Sequence, residues 1–99
     1  MLTQNEILKF LKKNKRTFQK KFHISKVGIF GSFARNEQKA NSDIDILIER
    51  EPNTKNIFDL DWNLQQLLKK RFGREIDICN EKYIKSYCRQ YVLKDAIYV

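Results

Sequence analysis

Apolar residues along this chain change period several times, and each change marks an element. Thr3-Gln4-Asn5-Glu6 is a capping pattern in which the Thr3 hydroxyl and the Glu6 carboxylate each satisfy a free amide of a first helical turn. Behind it Ile7, Leu11, Phe18 and Phe22 recur at near-helical spacing while Lys9, Lys12, Lys13, Lys15, Arg16 and Lys20 fill other positions. That pattern predicts one amphipathic helix from Thr3 to near His23. Lys26 to Phe30 reads as a strand, a short helix is expected after Ser32, and Asn36 to Asn41 forms a polar loop. Ile44-Asp45-Ile46-Leu47-Ile48 is a second strand, broken by Glu51-Pro52-Asn53. Ile57, Leu60, Leu64, Leu67 and Leu68 trace one face of a helix that Gly73 closes. A third strand runs over Glu75 to Cys79, and Asn80 can cap a last helix carrying Tyr83, Ile84, Tyr87 and Tyr91. Ile97-Tyr98-Val99 adds a short edge strand.

This order of elements implies a small α/β domain spanning residues 1–99, with a mixed sheet and helices packed on one of its faces. Alternation then sorts the strand residues. Ile44, Ile46, Ile48, Ile76 and Ile78 turn toward the helices, which leaves Asp43, Asp45 and Asp77 on an open acidic face. A single carboxylate on a half-solvated strand is ordinary, because such strands alternate polar with apolar residues. Three of them beside a glycine-serine turn are less ordinary.

Gly31-Ser32 directly follows the apolar run Val27 to Phe30, and ten residues later Asp43-Ile44-Asp45 opens the second strand. Both lie where strands meet loops, a place where chemistry concentrates. On an extended strand Asp43 and Asp45 point the same way with Cα atoms about 6.6 Å apart, so together they can hold a divalent metal. If the third strand lies alongside, Asp77 joins them. Three carboxylates on one face repel each other and are costly to desolvate unless cations neutralise them, a condition that hard, oxygen-seeking Mg²⁺ satisfies. Gly31 can supply a positive φ or a close backbone approach, and Ser32 a hydroxyl and an amide for a phosphate.

Composition narrows the setting. With 41 % hydrophobic and 12 % aromatic residues in 99, the chain can bury one core. Nothing resembles a signal peptide, and no apolar run approaches the ~20 residues of a membrane span. Cys79 and Cys88 match no metal-ligand spacing and read as reduced thiols of a cytoplasmic protein. The net charge of +8 is concentrated toward the amino-terminal helix and favours acidic partners. It reads as a solvated lysine-rich face, since no aromatic-interleaved basic run marks a nucleic-acid groove. His23 reads as a helix-end residue and Ser42 as a turn residue, while Trp62 and the tyrosines read as core or partner-contact residues, with base stacking as the alternative.

Gly31-Ser32-Phe33-Ala34-Arg35 followed by Ser42-Asp43-Ile44-Asp45-Ile46-Leu47-Ile48 resembles the signature of the DNA polymerase β-like nucleotidyltransferase superfamily. More narrowly, the length and layout resemble the minimal nucleotidyltransferases paired with HEPN proteins in prokaryotic toxin–antitoxin operons. The resemblance covers nearly the whole chain. Asn36 departs from it, standing where the family commonly has glycine, and asparagine tolerates the left-handed angles such a turn needs.

The resemblance implies transfer of a nucleoside monophosphate from ATP with release of pyrophosphate, assisted by two Mg²⁺ ions. Asp43 and Asp45 would hold both ions, and Asp77 would complete the one nearer the acceptor hydroxyl and favour its deprotonation. Gly31 and Ser32 would hold the β- and γ-phosphates, and Arg35 would pair with triphosphate oxygens or stay a solvated surface residue. A core of this length leaves little room for an acceptor-holding domain, so the resemblance points to a docked HEPN toxin whose tyrosine hydroxyl is modified. Two other readings stay open: a small-molecule transferase of the aminoglycoside type, and an antitoxin that blocks its partner by contact alone.

Overall fold

The computed structural model describes residues 1–99 and contains the expected element types, with two corrections to their arrangement. The first concerns the leading helix, which is two helices: α1 (Gln4–Lys13) and α2 (Lys15–Phe22). Thr3 caps α1 as expected, its hydroxyl accepting from the Glu6 amide at 3.2 Å. Asn14 is the break. Its backbone amide and its side-chain amide both donate to the Phe10 carbonyl, at 3.1 and 2.8 Å, which ends one helix and starts the next. The bend lets Ile7 and Leu11 of one helix and Phe18 and Phe22 of the other reach the same core. His23 closes α2 in the left-handed conformation, φ 57°.

The strands are β1 (Ile24–Phe30), β2 (Ile44–Arg50), β3 (Ile76–Asn80) and β4 (Ile97–Tyr98), ordered β3-β2-β1-β4. β1 pairs antiparallel with β2 and β4, while β2 and β3 run parallel, so the sheet is mixed. Between β1 and β2 lies the four-residue helix α3 (Gly31–Ala34); between β2 and β3 lies α4 (Ile57–Phe72), the crossover that a parallel pair requires. Gly73, φ 65°, ends α4 as the sequence predicted. Ile44, Ile46, Ile48 and Ile76 are fully buried with Ile29 and Val27, forming one core with Leu64 and Leu68 of α4.

The second correction concerns the other face. Asn80 caps a 3₁₀ turn (Glu81–Tyr83), accepting from the Lys82 amide at 3.0 Å, and α5 (Ser86–Asp95) starts only at Ser86. The 3₁₀ turn packs against β2, and α5 packs against β1 and α3. Leu47, which shares a face with Asp45, is fully buried yet stands outside the main core cluster. Helices therefore lie on both faces, and the carboxylates are confined to one end of theirs. Glu81 ties this layer together, accepting from the Tyr98 hydroxyl and pairing with Arg89 at 3.2 Å. No helix is long and apolar enough to cross a membrane.

Candidate active site

The chain leaves β1 at Phe30, which sits opposite Asp45 in the antiparallel register, and turns at once into α3. That turn demands Gly31. Its φ is 73°, and a Cβ there would run into the Asp45 carboxylate, so the absence of a side chain is what lets the backbone close over Asp45. Ser32 follows, half-buried, with its carbonyl accepting from the Glu37 amide at 2.9 Å. Asn36 takes the left-handed angle its position requires, φ 57°. Gln4 fixes α3 from below, its side-chain amide donating to the Phe33 and Ala34 carbonyls at 3.1 and 2.9 Å.

Asp45 and Asp77 are direct partners in the parallel β2–β3 register. Asp43 is exposed one residue before β2, close enough for its charge to act on Asp45. Burial pushes the Asp45 carboxyl up to about 6, helped by the charges of Asp77 and Asp43 and by a side-chain hydrogen bond with Asp77, and opposed by Arg35. Metal-free, Asp45 therefore keeps its proton up to about pH 6. No three histidine, cysteine or acidic side chains converge at metal-ligand spacing. The donor set itself, hard carboxylate oxygens with one carboxyl raised chiefly by burial, is of the kind Mg²⁺ binds. Cys79, two residues past Asp77, has its thiol pushed up by burial and by the Asp45 charge, which marks it as inert.

Arg35 is brought to this end of the sheet but is already engaged. Its guanidinium pairs with Glu37 at 3.0 Å and with Asp95 of α5 at 3.3 Å, and these partners raise its pKa. Ser42 is a turn residue, accepting from the Lys39 amide at 2.7 Å.

Two supporting residues escaped the sequence reading. Arg74 donates to the Ser42 carbonyl at 2.9 Å, and beside it the Ile44 amide donates to the Glu75 carbonyl at 2.9 Å, so the start of β3 fixes the loop that delivers Asp43. Arg50 runs the other way, its side chain only 3 % exposed, donating to the Phe22 carbonyl at 3.1 Å and standing 2.7 Å from Asp61 of α4. That ion pair is close, but its angles miss those of a hydrogen bond. Residues eleven apart in sequence with no shared period give no local signal.

A glycine-serine turn closed over one of two adjacent sheet carboxylates, at one end of a small mixed α/β sheet, is the framework of an enzyme that acts on a phosphate chain. The chain belongs to the nucleotidyltransferase domain family, whose profile matches residues 6–99, and it is a nucleotidyltransferase. It is 34 % identical over 101 residues to the protein adenylyltransferase MntA of Thermococcus cleftensis, covering 100 % of this chain and 98 % of that one. Its fold matches a provisionally assigned minimal nucleotidyltransferase with a TM-score of 0.76 and 26 % identity, covering 97 % of this chain and 95 % of the other. A crystallised toxin–antitoxin with AMP-PNP matches with a TM-score of 0.68 and 26 % identity, over 98 % of this chain and 72 % of that one.

Proposed function

We propose that the chain transfers AMP from ATP to a hydroxyl of a partner protein, and that as an antitoxin it thereby inactivates a HEPN-type ribonuclease toxin. The observation that carries the reading is the register of Asp45 with Asp77 beneath the Gly31 turn. The similarity to MntA, a protein adenylyltransferase, supports the transferred group, and the toxin–antitoxin with AMP-PNP supports the nucleotide and the partner. On this reading residues 1–99 act as one catalytic unit in the cytoplasm, together with the toxin.

Asp43 and Asp45 would hold Mg²⁺, with Asp77 completing the set on the acceptor side. When bound, the ions neutralise the carboxylates and stabilise charge on the attacking and departing oxygens of an in-line displacement. Gly31 allows the triphosphate to approach the backbone, and Ser32 holds the β- and γ-phosphates. Arg35 exchanges Glu37 or Asp95 for a phosphate oxygen. Asp77 favours loss of the acceptor's proton as its oxygen bonds to the α-phosphorus and the bond to the bridging oxygen breaks, releasing pyrophosphate.

The test is co-expression with a HEPN-type protein from the same genome, followed by incubation with ATP and Mg²⁺ and intact-mass measurement. The partner should gain the mass of AMP on a hydroxyl side chain. Label from the γ-phosphate appearing on the partner would mean phosphorylation and would overturn the mechanism.

A further inference from the structure

The face of α4 beside β3 combines exposed aromatic side chains with acidic charge. Large apolar side chains stay in water there: Phe58 is 91 % exposed and Trp62, one turn on, 62 %. They line a cleft of about 350 Å³ with Ile78, Gln65, Asp61 and Asp77, so the apolar surface runs directly to the carboxylate at the reaction centre. The cleft's charges also invert the chain's balance. In a protein of net charge +8 it is lined by two aspartates and no cation, and Asp59 is exposed next to Phe58. Asp61 is neutralised by Arg50, whereas Asp59 and Asp77 take part in none of the ion pairs. β3 is an edge strand, but the Gln65 side-chain amide donates to the Ile76 carbonyl at 2.7 Å and blocks strand addition at that point. Recognition must then go through side chains.

We infer that this α4–β3 cleft is the docking surface for the acceptor protein, and that it takes an apolar segment flanked by lysine or arginine that presents its hydroxyl to Asp77. The inference rests on the proposed protein-modifying activity. Aromatic anchors at a centre, with complementary charge around them, are what concentrate binding energy at protein interfaces. The position would also aim the acceptor, because Phe58, Trp62 and Asp77 line one cleft.

The experiment uses the full chain with the co-expressed HEPN-type protein. Trp62 is the sole tryptophan, so its emission should shift to the blue when that partner is added, after subtraction of the partner's own signal. Phe58→Ala with Trp62→Ala should raise the KM for the partner at least about 30-fold, leaving kcat at saturation within about threefold and calorimetric binding of Mg²⁺ with AMP-PNP unchanged. Trp62→Phe should retain most of the transfer, and Asp59→Lys should weaken docking and reduce its salt dependence. Wild-type KM in the double variant, or unchanged Trp62 emission, overturns the inference. So does a concentration-dependent homodimer in sedimentation that the double variant abolishes, because the occupant is then a second copy of this chain. If wild type transfers nothing yet its Trp62 is shielded by the partner, the activity reading falls while the docking surface stands.

Discussion

Asp45→Asn should make the metal-free protein more stable while destroying its use of nucleotide. The Asp45 carboxyl is raised from 3.8 to about 6 because ionising it costs burial energy and sets it against Asp77 and Asp43. A rise of that size corresponds to about 3 kcal/mol for a fully buried group. The side chain is half-buried, and solvent screening reduces the penalty to about 1–2 kcal/mol. Because the folded pKa lies above the unfolded one, the folded state binds the proton more tightly. The penalty is absent below pH ~4, grows as pH rises toward 6, and is complete above it. Asparagine never ionises and can still donate to Asp77. In EDTA at pH 8 the variant should melt about 5–10 °C above wild type, and the two curves should converge at pH 3.5. Adding Mg²⁺ with AMP-PNP should raise the wild-type melting temperature by mass action and leave the variant unmoved. A variant that melts at or below wild type at pH 8, or a gap that does not change with pH, would refute the assignment of strain to this carboxylate.

Gly31→Ala must adopt a left-handed angle and displace the Asp45 carboxylate, so we expect a loss of about 1–2 kcal/mol in urea denaturation together with loss of AMP-PNP binding by calorimetry. Asp77→Asn should reduce AMP transfer at least tenfold more than it reduces ATP affinity, which single-turnover kinetics with a pre-bound partner will separate. Ser32→Ala with Asp43→Asn should still co-purify with the toxin but fail to rescue growth; full rescue would favour an antitoxin that works by contact alone. Asp61→Ala leaves the buried Arg50 guanidinium unpaired and should cost about 2–3 kcal/mol in stability without changing kcat.

The periodic parts of the fold were legible. The strand alternation of Ile44, Ile46 and Ile48 and of Ile76 decided which face would carry the main core, and Gly73 marked the end of α4. The break at Asn14 was not, because Ile7, Leu11, Phe18 and Phe22 satisfy one continuous period about as well as two short ones; the decision came from a single asparagine returning to Phe10. The cover over Leu47 was equally hidden. It is assembled by α5 and the 3₁₀ turn through contacts such as Tyr98 with Glu81, which depend on where the chain returns in space. At the candidate site, Gly31, Ser32, Asp43, Asp45 and Asp77 were proposed from their spacing, and the structure brings them to one end of the sheet. Arg35 was proposed as well, but its tie to Asp95 was not legible, since Asp95 lies sixty residues away. Trp62 was grouped with core or partner-contact residues, and its exposure excludes the core; Phe58, more exposed still, carried no signal that was read.

The pairing of Asp45 with Asp77 makes activity a proofread of the fold. The two residues are joined by no local structure: they lie on strands separated by α4 and meet only through non-local parallel pairing. A slip of one residue would turn Asp77 into the core and an isoleucine toward the nucleotide, so there is no half-active register. If Asp45 and Asp77 act as proposed, a chain whose β3 has not docked in this register is silent rather than weakly active. On the proposed function, where the product is a covalent mark on a partner, that all-or-none threshold separates synthesis from action.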